Sequence, residues 1–311
     1  MTAPQARKDV GAGVDGQLVR GSGTLVRFAN FVKLPHTLFA LPFALVGVVL
    51  GSYTATLTTS TLVWVVVAFT AARFAAMGFN RIVDREFDAR NPRTAMRELP
   101  AGAMSHAEAS MAVLAAGALF IFAAWRINPL CFALSPLALI WVFFYSYTKR
   151  FTRWSHLVLG AGLGIAPVGG YLAVTGSWSE PWVMLPALAF AVTTWTAGFD
   201  IIYSLQDVAV DRAEGLHSLP AALGQGVALF FARALHFFTF GALLLVGNSS
   251  IVGGWYYVGL IAVAWFLLKE HKLVQDARHQ QAFFTINVSL SSIFFVFVLL
   301  DRLFPFPVSA R

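Results

Sequence analysis

Nine stretches of this chain are apolar and near the ~20 residues that a membrane-spanning helix needs. They run at about 34–53, 61–80, 106–125, 129–148, 156–175, 182–204, 224–246, 251–268 and 283–303. The polar residues that separate them are unevenly placed. The second and sixth runs each end in carboxylates. Asn80, Asp84 and Asp88 follow one another at i, i+4 and i+8, so on a helix they share a face. Asp200, Tyr203, Asp207 and Asp211 fall on a similar stripe. Carboxylates stacked in this way repel each other and call for a cation. Hard oxygen ligands suit Mg²⁺. Two runs pointing the same way with matching acidic ends suggest a parallel internal repeat, with a site between the halves.

Composition supports the spans. Of 311 residues, 58% are hydrophobic and 12% charged, against about 25% charged in soluble domains. The expected fold is all-α, a polytopic membrane protein with nine transmembrane helices embedded in a lipid bilayer. A net charge of +7 carried by so few charged residues is loop charge, and predicts no nucleic-acid partner. Seventeen of the 22 Lys and Arg fall in connections on one side, and Arg126, Arg302 and Arg311 on the other. The positive-inside rule then places the N-terminus and both acidic stripes in the cytoplasm. Trp125, Trp178, Trp182, Trp255, Tyr256 and Tyr257 cluster at the opposite helix ends, as an aromatic belt does. Residues 1–24 are polar and Gly-containing, which predicts a disordered cytoplasmic tail before one domain over 25–311. No signal-peptide pattern opens the chain. The single Cys131 excludes an intramolecular disulfide.

Basic residues adjoin the acids. Arg93 and Arg97 follow Asp88 directly, and guanidinium forks match phosphate oxygens. Carboxylates alone would repel a diphosphate. Carboxylates with Mg²⁺ and Arg would hold one. The alternative is that both Arg only set topology, and the same two readings apply to Lys149 and Arg150. The loop after Asp207 is the one cytoplasmic connection where acids outnumber bases, which favours metal binding. His217 within it reads as a solvated or capping residue. Arg73 lies about two turns inside the second span, on a stripe with Met77, Asn80 and Asp84. A charge that deep costs roughly 2.5–3.5 kcal/mol on insertion scales, so it is a functional candidate. A buried ion pair with an Asp of the sixth span is the structural alternative.

The two acidic signatures, Asn80-x-x-x-Asp84-x-x-x-Asp88 and Asp200-x-x-Tyr203-x-x-x-Asp207-x-x-x-Asp211, resemble those of the UbiA superfamily of intramembrane prenyltransferases. Lys33-Leu-Pro-His-Thr37, Arg93-Thr94, Arg97-x-Leu99-Pro100-x-Gly102 and Lys149-Arg150 are similar to further family landmarks. The resemblance implies nine helices and Mg²⁺-dependent transfer of a polyprenyl group from its diphosphate to an aromatic acceptor. It implies Asp84, Asp88, Asp207 and Asp211 as metal ligands, with Asn80 and Asp200 beside them. Lys33, Arg93, Arg97, Lys149 and Arg150 would meet the diphosphate. Arg73, Tyr145 and Tyr203 would meet the acceptor. Arg73 sits about 10 Å deeper than Asn80 at 1.5 Å per residue, too deep for the diphosphate and suited to an aromatic carboxylate. Either Asp200 or the released diphosphate could take the ring proton.

Members acting on 4-hydroxybenzoate often have Pro where this chain has Glu98, and Gly-x-Lys-Ser where it has Gly215-Leu-His217-Ser218. The wording around His36 and Asn91-Pro-Arg-Thr is similar to a bacterial branch labelled 4-hydroxybenzoate polyprenyltransferase and associated with menaquinone made by the futalosine route. The resemblance therefore implies quinone biosynthesis at a bacterial inner membrane. It leaves 4-hydroxybenzoate and a dihydroxynaphthoate both open as acceptors. An ion-coupled transporter would also have repeats and intramembrane charges, but its carboxylates usually lie near the midplane.

Overall fold

A computed structural model describes residues 23–33, 37–275 and 282–306. The predicted tail up to residue 22 and His36 lie outside the described residues. The elements are α1 (Thr24–Phe31), α2 (Thr37–Gly51), α3 (Thr59–Val83), α4 (Arg85–Arg90), α5 (His106–Ile127), α6 (Pro129–Thr148), α7 (Ser155–Thr175), α8 (Met184–Ser204), α9 (Val208–Ala213), α10 (Leu219–Leu223), α11 (Gln225–Asn248), α12 (Gly254–Gln275) and α13 (Asn287–Leu303). A 3-10 turn, Leu205–Asp207, joins α8 to α9, and a π turn, Ala282–Ile286, leads into α13. No strand occurs among the described residues. Among the described residues nine long helices lie over the apolar runs. Seven spans among these residues are long and apolar enough to cross a membrane. The other two are α2, whose apolar part is short, and α12. The latter opens on Trp255-Tyr256-Tyr257 and closes on Lys269-Glu270-His271-Lys272, which lowers its hydropathy. Leu137 and Ile140 on α6, Phe230 and Phe237 on α11, and Ile261 and Leu268 on α12 are exposed. Apolar surface of that extent needs lipid, and the protein is a multi-pass integral membrane protein.

Short polar links turn the chain. Ser105 and Glu108 form a reciprocal capping box at the start of α5. Asn128 caps α6 through the Cys131 N–H, with Pro129 in the first turn. Helix α7 ends on Gly176 at φ +65°, a left-handed residue that suits glycine. The long helices follow one another around the molecule, and α13 closes the ring against α2. Helix α8 is the most enclosed, with Trp195, Leu188, Leu185 and Ile202 fully buried.

Small residues set the spacing around α7. A methyl group added at Gly160 would run into the Thr193 carbonyl oxygen of α8, and one at Gly47 into the Pro167 carbonyl oxygen of α7. Helices that close belong to the small-residue packing of membrane bundles. Gly160→Ala is expected to destabilise the protein by about 1–3 kcal/mol through overpacking. Gly169, on the same helix, has nothing within 4 Å of an added methyl, so Gly169→Ala should be near neutral. Thermal midpoints of the two variants in detergent check this.

Asp301 laces the end of the bundle opposite the acidic stripes. Its carboxylate accepts the Gly253, Trp255 and Tyr256 N–H groups at 2.6, 3.1 and 3.3 Å and the Tyr53 hydroxyl at 2.8 Å. Arg302 beside it donates to Ser52. Trp125, Trp178 and Trp182 are exposed here as the aromatic belt requires, but Tyr256 is not part of it. Tyr256 is fully buried because it sits on the inner side of α12, where its hydroxyl donates to the Leu243 carbonyl at 2.7 Å.

Candidate active site

Neither acidic stripe is a continuous helix. Asp84 ends α3 at φ −92° and ψ 7°, and α4 begins afresh with Asp88 inside it. Asn80 Nδ2 still donates to Asp84 Oδ2 at 2.8 Å. The 3-10 turn between α8 and α9, which carries Asp207, likewise separates Asp200 from Asp211. Both α3 and α8 thus give way to a short helix bearing a later acid, Asp88 in α4 and Asp211 in α9.

The loop after α4 is folded to bring its Arg back over the acids. Asn91 takes the extended conformation that a following Pro requires. Its Oδ1 accepts the Arg93 N–H at 2.9 Å, a side-chain turn. Thr94 Oγ1 donates to the Asp88 carbonyl. Arg93 then reaches the other stripe: Nε and Nη2 donate to the two Asp207 oxygens at 3.0 and 2.7 Å, a bidentate fork. Its Nη1 donates to the Tyr203 hydroxyl at 2.6 Å. Arg97 Nη1 donates to Asp88 at 2.7 Å. Lys149, at the end of α6, meets Asp211 at 2.7 Å. Arg150 lies 3.5 Å from Asp84 and donates to the Val83 carbonyl at 2.8 Å.

The two stripes therefore face each other across one polar cleft. Arg93 bridges them from the loop after α4, and Lys149 is within electrostatic reach of Asp84 and Asp207 as well as paired to Asp211. Burial, with the Asp88 charge adding to it, pushes the Asp84 carboxyl up to about 6. Lys33, buried at the end of the α1 turn, is held well below its usual range, first by burial and then by the charges of Arg97, Arg81 and Arg93. Four cations thus crowd one place. Arg81 is one of the seventeen basic residues on the acidic side of the spans. The structure buries it here, with Nη1 making no hydrogen bond to the described residues. Its signal was its place next to Asn80 on an apolar helix.

Deeper residues separate from this cleft. Asp200 accepts from His156 Nδ1 at 2.6 Å, a partner that sequence reasoning missed because the two lie on different helices. Tyr145, on α6, is within electrostatic reach of both Asp200 and Asp84. Tyr203, grouped above with the acceptor residues, lies under the Arg93 guanidinium at 5.1 Å from its ring centroid. Arg73 is half-buried on α3, within the span. Asp200 of the sixth span is paired to His156, and beyond the span Asp207 is paired to Arg93 and Asp211 to Lys149.

Asp84, Asp88, Asp207 and Asp211 offer hard oxygen donors, and Asp211 Oδ2 is buried with no hydrogen bond to the described residues. That donor set fits Mg²⁺. Among the described residues no three acidic, His or Cys side chains form a ready metal cluster, because the acids hold the basic side chains instead.

Apolar spans that enclose paired acids and bases at one end define a polytopic membrane protein with a charged site at one mouth. The chain belongs to the UbiA prenyltransferase family, whose signature matches residues 40–298. It is a membrane-embedded prenyltransferase. It is 31% identical over 250 residues to the 4-hydroxybenzoate octaprenyltransferase of Aeromonas hydrophila, covering 78% of this chain and 84% of that one. It is 31% identical over 243 residues to the mitochondrial 4-hydroxybenzoate polyprenyltransferase of Rattus norvegicus, covering 75% and 62%. A UbiA homologue from Aeropyrum pernix K1 shares the fold at a TM-score of 0.80 and 32% identity, over 86% of this chain and 98% of that one. So does the Archaeoglobus fulgidus homologue solved with DMAPP and Mg²⁺, at 0.65 and 19%, over 88% and 99%.

Proposed function

We propose that this enzyme transfers a polyprenyl group from polyprenyl diphosphate to the ring of a 4-hydroxybenzoate-type aromatic acid, in the biosynthesis of respiratory quinone. The observation that carries the reading is the cleft, where Lys33, Arg81, Arg93, Arg97 and Lys149 converge on four carboxylates. Such a set fits a metal-diphosphate and little else. The 4-hydroxybenzoate acceptor comes from the names of the relatives. Glu98 and Gly215-Leu-His217-Ser218 favour a dihydroxynaphthoate as the second reading. The site faces the cytoplasm at a bacterial inner membrane, on the charge asymmetry of the loops.

Asp84, Asp88, Asp207 and Asp211 would hold Mg²⁺, which supplies positive charge to a leaving diphosphate. Arg93, Arg97 and Lys149 exchange their carboxylate partners for phosphate oxygens, and Lys33, Arg81 and Arg150 add charge around them. The C–O bond of the donor ionises, leaving an allylic cation. The apolar bundle keeps water from that cation. Arg73 pairs with the acceptor carboxylate and holds the ring at the reactive carbon. Asp200, with Oδ2 held by His156, takes the ring proton.

Labelled polyprenyl diphosphate incubated with membranes and each acceptor tests the reading. A prenylated aromatic acid supports it, and no product with either acid sinks it. Arg93→Ala should raise the donor KM or lower kcat while the acceptor KM stays nearly unchanged. Equal effects on both KM values would mark a general loop defect. The pH dependence follows from Asp84. Its carboxyl is raised to about 6, so the metal competes with a proton below that pH and not above it. The Mg²⁺ concentration giving half-maximal rate should climb by up to about tenfold per pH unit below 6 and be flat above. Titrations of Mg²⁺ at several pH values measure it, and a flat profile across pH 6 contradicts the role of Asp84.

A further inference from the structure

We infer that His156 is a positioning residue that prepares Asp200 to receive the ring proton. The inference rests on the reading of Asp200 as the base. His156 stands in the first turn of α7 and is 3% exposed. Its ring meets two polar partners. Leu219 N–H, at the start of α10, points at Nε2 from 3.3 Å. A backbone N–H only donates, so Nε2 accepts, and the proton of the neutral imidazole sits on Nδ1. Nδ1–H therefore donates to Asp200 Oδ2 at 2.6 Å. A doubly protonated ring would set N–H against N–H at Leu219, which favours this one tautomer. The other side of the ring borders an apolar cleft of about 230 Å³ with Leu157, Ile201, Phe231 and Leu235, which offers it no competing acceptor.

Asp200 is thus fixed by one oxygen only. Among the described residues its Oδ1 accepts no hydrogen bond. Its side chain keeps 22% of its surface exposed, and Tyr145 lies within electrostatic reach of both Asp200 and Asp84. Asp200 lies four residues before the end of α8, about 6 Å deeper than that end at 1.5 Å per residue. It therefore sits beneath the phosphate-handling residues, on the level where a ring carbon meets the prenyl cation. After the new C–C bond forms, the C–H bond at the same ring carbon breaks. Its electron pair restores the aromatic ring, and the proton goes to Asp200 Oδ1. An N–H donor on Oδ2 keeps the carboxylate aimed until then.

The test uses the full chain in membranes and whichever of 4-hydroxybenzoate or dihydroxynaphthoate the wild type prenylates, deuterated at the substituted carbon. His156→Leu should lower kcat about 10–100-fold, the usual loss for an orienting partner. Both KM values should stay within about threefold. The isotope effect on kcat should exceed that of the wild type, because proton loss becomes slower than ring attack. His156→Asn places an amide N–H near the Nδ1 position and should restore much of kcat. His156→Gln places it near Nε2 and should not. If His156→Leu does not fold, the Asn and Gln pair decides alone. Unchanged kcat, a lower kcat with an unchanged isotope effect, or equal rescue by Gln and Asn would each overturn the inference. Asp200→Asn separates it from the reading beneath it. Full activity there removes Asp200 as the base and the inference with it. A raised isotope effect in Asp200→Asn but not in His156→Leu leaves the base standing and removes His156.

Discussion

Asp84→Asn and Asp207→Asn are each expected to lose at least about 100-fold in kcat, near 2.7 kcal/mol of barrier. EDTA should silence the wild type. The two residues reach the same cleft from different halves of the chain, and they differ in what the change removes. Asp207 is the acceptor of the Arg93 fork. Its loss frees that guanidinium as well as deleting an oxygen ligand, so donor binding should change together with the rate. Among the described residues the Asp84 side chain is held by Asn80 and, at 3.5 Å, Arg150 alone. Its loss should fall mainly on the metal requirement. Initial rates across a Mg²⁺ titration, with a thermal midpoint for each variant, check both. Full activity of the wild type in EDTA would end the metal role of all four acids.

Arg73→Leu should raise the acceptor KM about 100-fold and leave the donor KM alone. The size follows from losing a charge-assisted, bidentate pair with a carboxylate, worth several kcal/mol when desolvated. An acceptor analogue without the carboxylate should bind wild type and variant about equally. That comparison separates recognition of an acid from general damage to α3. Loss of donor binding with an unchanged acceptor KM would place Arg73 in the diphosphate cleft.

Much of this architecture was legible because lipid imposes a simple rule. Backbone polar groups must be satisfied within a span, so each long apolar run becomes one helix. The predicted 129–148 and 156–175 agree with Pro129–Thr148 and Ser155–Thr175 to within a residue. The short elements were not visible. Helices α4, α9 and α10 have 5 or 6 residues, too few for a periodic pattern. Their breaks at Asp84 and Leu205–Asp207 decide which acids meet which bases. A face drawn by counting four residues at a time grouped Asp200 with Asp207. The structure turns Asp200 toward α7 and Asp207 toward the loop after α4. Charge pairing was half legible. The sequence placed Arg93, Arg97 and Lys149 near the acids, but pairing Arg93 with Asp207, 114 residues on, needed the fold. Arg81 and His156 went unread for a related reason: one looked like a topology charge, the other like a helix start.

The lacing by Asp301 bears on how a long lipid could be accommodated. That carboxylate ties the loop after α2, the start of α12 and the end of α13 into one knot, so the molecule is fastened at its far mouth. Under the proposed function, a donor whose head lay among the Arg residues would meet this knot at the far end of the bundle. Isoprene units beyond that depth would then leave sideways, between helices, into the oily interior of the membrane. The enzyme would grip the first units and let the bilayer hold the remainder. Tail length would then be decided by whichever synthase makes the diphosphate, and not by this protein.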